Sequence, residues 1–141
     1  MSTISSAART VARNAINTLV DAGSGTNPTL RYRTAADADL LVINLNATKA
    51  IADAVDGVSA INPPAGEASW VGYSQYPTAA GTAAKVVLCD KDGTIVETGS
   101  LGVTGDTSAE FHLGSLTMDT GVAANWSAAP TVSQRASYTP S

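Results

Sequence analysis

The sequence predicts a mainly β protein, in which a β-sandwich or jelly-roll-like domain follows an N-terminal amphipathic α-helix. Helical periodicity is confined to residues 4–22 of the 141-residue chain. The rest consists of short β-branched and apolar runs separated by Gly, Pro, Asn and Asp, the pattern of an all-β domain. We expect a helix or arm over residues 1–23, a β-domain over 24–134 and an extended C-terminal arm over 135–141.

The predicted helix has one apolar stripe, whose members recur every three or four residues: Ile4, Ala8, Val11, Ala15, Leu19 and Ala22. Arg9, Arg13, Asn17 and Asp21 fall on its other sides. Ser2, Thr3 or Ser5 is expected to cap its N-terminus, and Gly23 to end it. Half of the stripe is Ala, so it is shallow. It suits packing either on the chain's own sheet or on a neighbouring subunit, and the sequence leaves both open.

Eight segments after the helix are typical of β-strands: 29–34, 40–45, 69–75, 85–89, 94–98, 109–113, 115–119 and 124–132. The strongest signal is a hairpin, in which Asp90-Lys91-Asp92-Gly93 joins two β-rich runs. We expect a flexible hinge at 23–28, and a helical turn or loop at 47–56. The predicted core consists of Leu30, Leu41, Ile43, Leu45, Val86, Leu88, Ile95, Phe111, Leu113, Leu116, Trp126 and Val132.

The composition is poor in the residues that carry chemistry. Only 14% of residues are charged, against about 25% in typical soluble domains. Such a surface of hydroxyl, methyl and backbone groups favours packing against other protein. The net charge is −4 and the eight basic residues are scattered, so we expect no direct nucleic-acid binding. We also expect no membrane span and no secretory signal.

The residues that have catalytic or ligand chemistry are isolated or lie in turns. His112 is the only histidine, and Cys89 is the only cysteine and is expected to be a buried small hydrophobe. Asp90 and Asp92 belong to the predicted hairpin turn, and Asp37 and Asp39 also have turn-like settings. The glycine-rich segment 99–102 is expected to be a loop between strands, since no helix follows it. We therefore predict no catalytic, cofactor-binding or metal-binding residue, no cofactor, and no enzymatic activity.

Most of the chain from about Leu40 onward resembles a family of small proteins encoded among the virion structural genes of tailed bacteriophages and prophages. The resemblance depends on segments 41–45, 56–58, 62–63, 81–83, 88–96, 99–102 and 113–116. Family members also look like an Ala-rich N-terminal helix followed by a β-domain. The chain departs from them in a polar insert, Asp106-Thr107-Ser108, and in its C-terminal arm. The resemblance implies a virion protein, assembled in the host cytoplasm, without catalytic residues.

Three functions follow as hypotheses. The first is a capsid cement or decoration protein that bridges major capsid subunits and self-associates, for which a trimer is a natural geometry. Under this hypothesis, the helix and the 135–141 arm contact adjacent copies. The second is a tail, neck or fibre-associated virion component. The third is a small carbohydrate-binding module, in which Trp70, Tyr73 and Tyr76 form a stacking platform.

Overall fold

The computed structural model describes residues 2–134 and 137–138, and it is mainly β with one N-terminal helix, as predicted. The elements are β1 (Ser2–Thr3), α1 (Ser6–Val20), β2 (Thr29–Arg33), β3 (Asp39–Asn44), β4 (Val58–Ala60), β5 (Ser74–Gln75), β6 (Gly81–Thr82), β7 (Lys85–Cys89), β8 (Ile95–Val103), β9 (Phe111–Leu113), β10 (Thr117–Met118), β11 (Ala124–Asn125), β12 (Thr131–Ser133) and β13 (Ser137–Tyr138).

A curled, half-barrel-like sheet of five strands forms the body of the molecule, in the order β3-β2-β7-β8-β9. Its strands pair antiparallel, except that β8 and β9 are parallel. Four short ladders complete the fold: β4 with β12, β5 with β11, β6 with β10, and β1 with β13. The last ladder joins Ser137–Tyr138 to Ser2–Thr3; the other residues of the predicted 135–141 arm lie outside the described residues.

Strand β7 is central because it is apolar on both faces. Its residues Val86 to Cys89 are all buried, and Cys89 has the small-hydrophobe role predicted for it. Most of the predicted core is buried around it. Two expected members are not: Ile95 is 48% exposed at the start of β8, and Leu116 is only half-buried. Ile95 follows the hairpin turn, where β8 has only just begun to pair.

The predicted hairpin joins β7 to β8. Asp90 Oδ1 accepts hydrogen bonds from the backbone N–H groups of Asp92 and Thr94, both at 2.9 Å, and Gly93 has the positive φ of 84° that such a turn needs. Asp92 reaches further, because its carboxylate accepts from the N–H groups of Ser24 and Gly25. The segment predicted to be a flexible hinge is therefore tied to the hairpin.

Two other expectations were wrong. Of the strand predicted at 69–75, only Ser74–Gln75 forms, since Gly72 adopts a φ of 81° and residues 70–73 turn. The glycine-rich segment 99–102 is not a loop but the second half of β8. Gly99 is needed there because a Cβ at this position would lie 2.4 Å from Cε2 of Phe111. Of the two forms expected for residues 47–56, the structure has the loop, which bridges to 58–61.

Candidate functional site

Helix α1 lies on its own β-domain through a polar face. Ser5 caps it, its side chain accepting from the backbone N–H of Ala8. Arg13 is fully buried at the middle of this face, and its two terminal nitrogens donate to both carboxylate oxygens of Glu97 on β8, at 2.7 and 2.8 Å. Two parallel bonds of this kind fix the angle of the helix on the sheet as well as its position.

Asn17 extends the same buried network. Its Oδ1 accepts from Arg13 Nε at 2.9 Å, and its Nδ2 donates to Ser59 Oγ on β4 at 2.9 Å. The buried guanidinium thus donates to three acceptor atoms on two residues, and the Asn17 amide links it to a second strand. Because a buried charge is tolerated only when it is paired and hydrogen-bonded, this network is what permits the helix to present Arg13 to the interior.

Side chains of the helix also satisfy the backbone of the segment that follows β3. Thr10 Oγ1 accepts from Gly57 N–H at 3.0 Å, Asn14 Oδ1 from Ala54 N–H at 2.8 Å, and Asp21 Oδ1 from Ala50 N–H at 2.8 Å. Segment 50–57 has no helix of its own, so these acceptors replace missing internal bonds. We define the inner face of α1 as Thr10, Arg13, Asn14, Asn17 and Val20; only Val20 is apolar, and it is fully buried.

The apolar stripe predicted from the sequence points away from the domain. Val11 is 70% exposed and Leu19 is 57% exposed, and Ala8, Ala15 and Ala22 are exposed as well, whereas Ile4, which precedes the helix, is half-buried. We define the outer face as Ala8, Val11, Ala15 and Leu19. It carries no charged residue. Of the two alternatives left open by the sequence, the helix therefore packs on its own domain, but with the opposite face from the apolar one.

Two valines are also exposed beyond the helix: Val55 is 72% exposed and Val58 is exposed, in the turn whose backbone Thr10 and Asn14 hold. Exposed apolar side chains that share one helix face, as Val11 and Leu19 do, are commonly a site where another protein binds. The outer face is consequently the candidate functional site of this molecule.

The residues considered as candidates for catalysis or metal binding do not form a common site, and several of them have hydrogen-bond or ion-pair partners already. His112 is exposed on β9, and its Nε2 lies 2.6 Å from the Asp106 carbonyl oxygen. Asp39 accepts from both Arg31 and Arg33, and Asp37 pairs with Lys85, whose hydrogen bond lowers the pKa of the Asp37 carboxyl. Within residues 2–134 and 137–138, no group of three or more His, Cys, Asp or Glu side chains is arranged to hold a metal ion.

The aromatic residues form a buried cluster rather than a surface platform. Trp70 is buried, and its Nε1 donates to the carbonyl oxygens of Ile61 and Asn62. Tyr73 contacts it edge-on, with ring centroids 5.5 Å apart, while Tyr76 alone is 60% exposed. Trp126 lies 5.7 Å from Trp70 on the inner side. The stacking platform predicted from Trp70, Tyr73 and Tyr76 is therefore absent from this surface.

Two adjoining clefts open beside β9. The first, of about 280 Å³, lies between residues 110–114 and 125–131 and has Tyr32 and Trp126 in its lining. Burial raises the pKa of Tyr32 to about 12, so its hydroxyl is neutral at physiological pH. The second, of about 470 Å³, shares Leu113, Gly114 and Asn125 with the first. Neither cleft holds a base paired with a nucleophile, and sequence patterns gave no signal for them.

Comparison with protein-family models, with curated proteins and with solved structures found no match. The single described helix, at 15 residues, lacks the length and the hydropathy that a bilayer-crossing helix requires.

Proposed function

We propose that this chain is a non-enzymatic structural protein of a tailed-phage virion, and that it acts as a capsid cement or decoration protein bridging major capsid subunits. The observation that carries the proposal is the outer face of α1. A helix that buries Arg13 and Asn17 and leaves Val11 and Leu19 in solvent is suited to being covered by another protein. The resemblance of the sequence to phage virion proteins and the low charge of the chain also support it.

The bridging would work through a helix that is already in place. The Arg13–Glu97 pair and the Asn17–Ser59 bond hold α1 in a fixed orientation, so little order remains to be imposed on binding. Ala8 and Ala15 allow the backbone of a neighbour to approach closely, and Val11 and Leu19 supply the larger apolar contacts. One helical face is a small contact area, but many copies on one particle multiply weak contacts through effective concentration.

Particles that differ only in this protein test the proposal. Heads that lack it should lose DNA or rupture at a lower temperature than wild-type heads, and Val11→Asp/Leu19→Asp should be absent from purified particles. Val71→Asp is the matched control, because Val71 is 68% exposed but lies far along the chain in a turn. Unchanged thermal robustness of particles without the protein, or normal incorporation of the double variant, would contradict the cementing role.

The tail is the second location to which the same outer face is suited. To decide between the capsid and the tail, purified heads are separated from purified tails and each is tested for the chain. Light scattering of the isolated chain measures self-association, for which we expect a small closed oligomer such as a trimer.

A further inference from the structure

The exposed apolar stripe of α1, from Ala8 to Ala22, has a size pattern that is symmetric about Ala15. Val11 and Leu19 lie four residues before and after Ala15, and Ala8 and Ala22 lie seven residues before and after it. All five are exposed, Val11 at 70% and Leu19 at 57%. Large and small side chains of the stripe therefore follow one another in the same order from either end.

Such a symmetric order is what a two-fold axis between identical helices requires, because each residue of a two-fold interface must fit the counterpart of its own partner. If two α1 helices run antiparallel and meet at Ala15, Val11 of each copy lies level with Leu19 of the other. Alanine at the crossing lets the helix axes approach to the short end of the usual range of about 8–10 Å. The larger side chains then pack to either side of the crossing.

The charges of the helix also favour an antiparallel pair. The outer face carries no charged residue, so two copies bring no like charges into contact. Arg13 is buried against Glu97, and the other two charged residues of the helix and its caps, Arg9 and Asp21, lie six residues before and after Ala15. An antiparallel pair sets Arg9 level with Asp21 of the second copy, whereas a parallel pair sets like charges level. The helix dipoles add to this preference.

We propose that the outer face of α1 binds the outer face of a second copy of this chain, antiparallel about a two-fold axis at Ala15. The inference rests on the premise of the proposed function that this face is covered, and it identifies the covering protein as the chain itself. The proposed function leaves the size of the closed oligomer open, and this face specifies two copies. Copies seated on neighbouring capsid subunits would then be joined through their helices.

The contact is small, which sets the expected affinity. The 15-residue helix is about 22 Å long and about 10 Å wide. A face of this size is below the roughly 800 Å² per partner of a standard interface. We therefore expect a dimer that forms at high protein concentration and dissociates on dilution. Copies held side by side on a particle would have the high local concentration that the dimer needs.

Disulfide formation between copies of the full chain tests the arrangement. Under mild oxidation, Ala15→Cys should form a dimer at least about 10-fold faster than Val71→Cys, whose thiol is as exposed but lies off the face and reports random collisions. Val11→Cys alone and Leu19→Cys alone should not exceed that collision rate, because equivalent positions lie about 12 Å apart along the axis. An equimolar mixture of these two variants should exceed it. Wild type controls for the buried Cys89.

Sedimentation equilibrium of the unmodified chain provides the second measurement. Wild type should show a monomer–dimer equilibrium, and Val11→Asp/Leu19→Asp should weaken it about 10-fold or more, because four apolar side chains of the pair are replaced by carboxylates. Val71→Asp should associate as wild type does.

Three results would overturn the inference: a chain that stays monomeric at the highest concentration, a trimer, or Val11→Cys that cross-links to itself as fast as Ala15→Cys. If the chain stayed monomeric but Val11→Asp/Leu19→Asp were still lost from particles, this inference alone would be refuted. If the two-fold cross-linking pattern were found but particles without the protein kept their thermal robustness, the proposed cementing function alone would be refuted.

Discussion

The inner face of α1 places Arg13 and Asn17 against the β-domain, whereas its outer face leaves Val11 and Leu19 in solvent. Amphipathic helices of globular proteins usually lie the other way round. The inner face can be polar because each of its groups meets a partner of matching geometry on β4, β8 or the 50–57 segment. An apolar stripe therefore does not by itself identify the face with which a helix packs on its own domain.

Removing the centre of the inner face should have the largest effect. Arg13→Ala leaves Glu97 and Asn17 without their shared partner and opens a buried space. We expect a loss of about 3–5 kcal/mol in the free energy of unfolding, the usual result of breaking a buried pair from one side. Urea denaturation of the two proteins measures it. A loss below about 0.5 kcal/mol would mean that the pair lies at the surface and that the helix is attached in another way.

Asn17→Ala is expected to have a smaller effect, of about 1–3 kcal/mol, because it leaves Arg13 Nε and Ser59 Oγ unsatisfied but keeps the ion pair. Combining it with Arg13→Ala in a double-mutant cycle sharpens the comparison. The two residues share one network, so the effects should fall short of additive. If the two losses in the free energy of unfolding were strictly additive in urea denaturation, Arg13 and Asn17 would not be energetically coupled.

Loss of the helix cap should lower stability by about 1 kcal/mol, because Ser5→Ala removes the acceptor for the Ala8 N–H. Thr3→Ala is the neighbouring control, because in the described part of the chain no hydrogen bond joins the Thr3 side chain to the helix. Circular dichroism during thermal unfolding measures both variants. If Ser5→Ala and Thr3→Ala were equal to wild type, the helix would begin elsewhere.

Substitutions on the outer face should barely change the stability of the isolated chain. Val11→Asp/Leu19→Asp is expected to change the free energy of unfolding by no more than about 0.5 kcal/mol per site, as for other exposed positions. The same variant should abolish incorporation into particles. A large loss of stability in the purified protein would show instead that the outer face packs on its own domain.

Local signals were sufficient for part of the fold. The turn Asp90-Lys91-Asp92-Gly93 predicted the hairpin because its carboxylate and its glycine act within four residues. The helix was also predictable from its period. Its orientation was not, because Glu97 lies 84 positions and Ser59 lies 42 positions from their helix partners. Arg13 and Asn17, four apart on one side, were the available signal of a polar inner face.

Where prediction failed elsewhere, tertiary packing overrode a local pattern. Segment 99–102 has the composition of a loop, but it lies in β8, where the Phe111 ring occupies the space that a side chain at Gly99 would need. The β-forming neighbours of Trp70 predict a strand, but Gly72 turns the chain and the Trp70 ring is buried. The parallel pairing of β9 with β8 is likewise not encoded in any short segment, because it depends on how the chain between them is folded back.

Thiol labelling of two matched helix variants measures which face of α1 lies against the β-domain. Cys89 is buried and serves as an internal unreactive thiol, and Val11→Cys and Val20→Cys place the same side chain on opposite faces. We expect Val11→Cys to react with a maleimide nearly as fast as an unstructured peptide, and Val20→Cys to react about 100-fold more slowly, after local opening. Equal rates, or faster reaction at position 20, would contradict a helix anchored by its polar face.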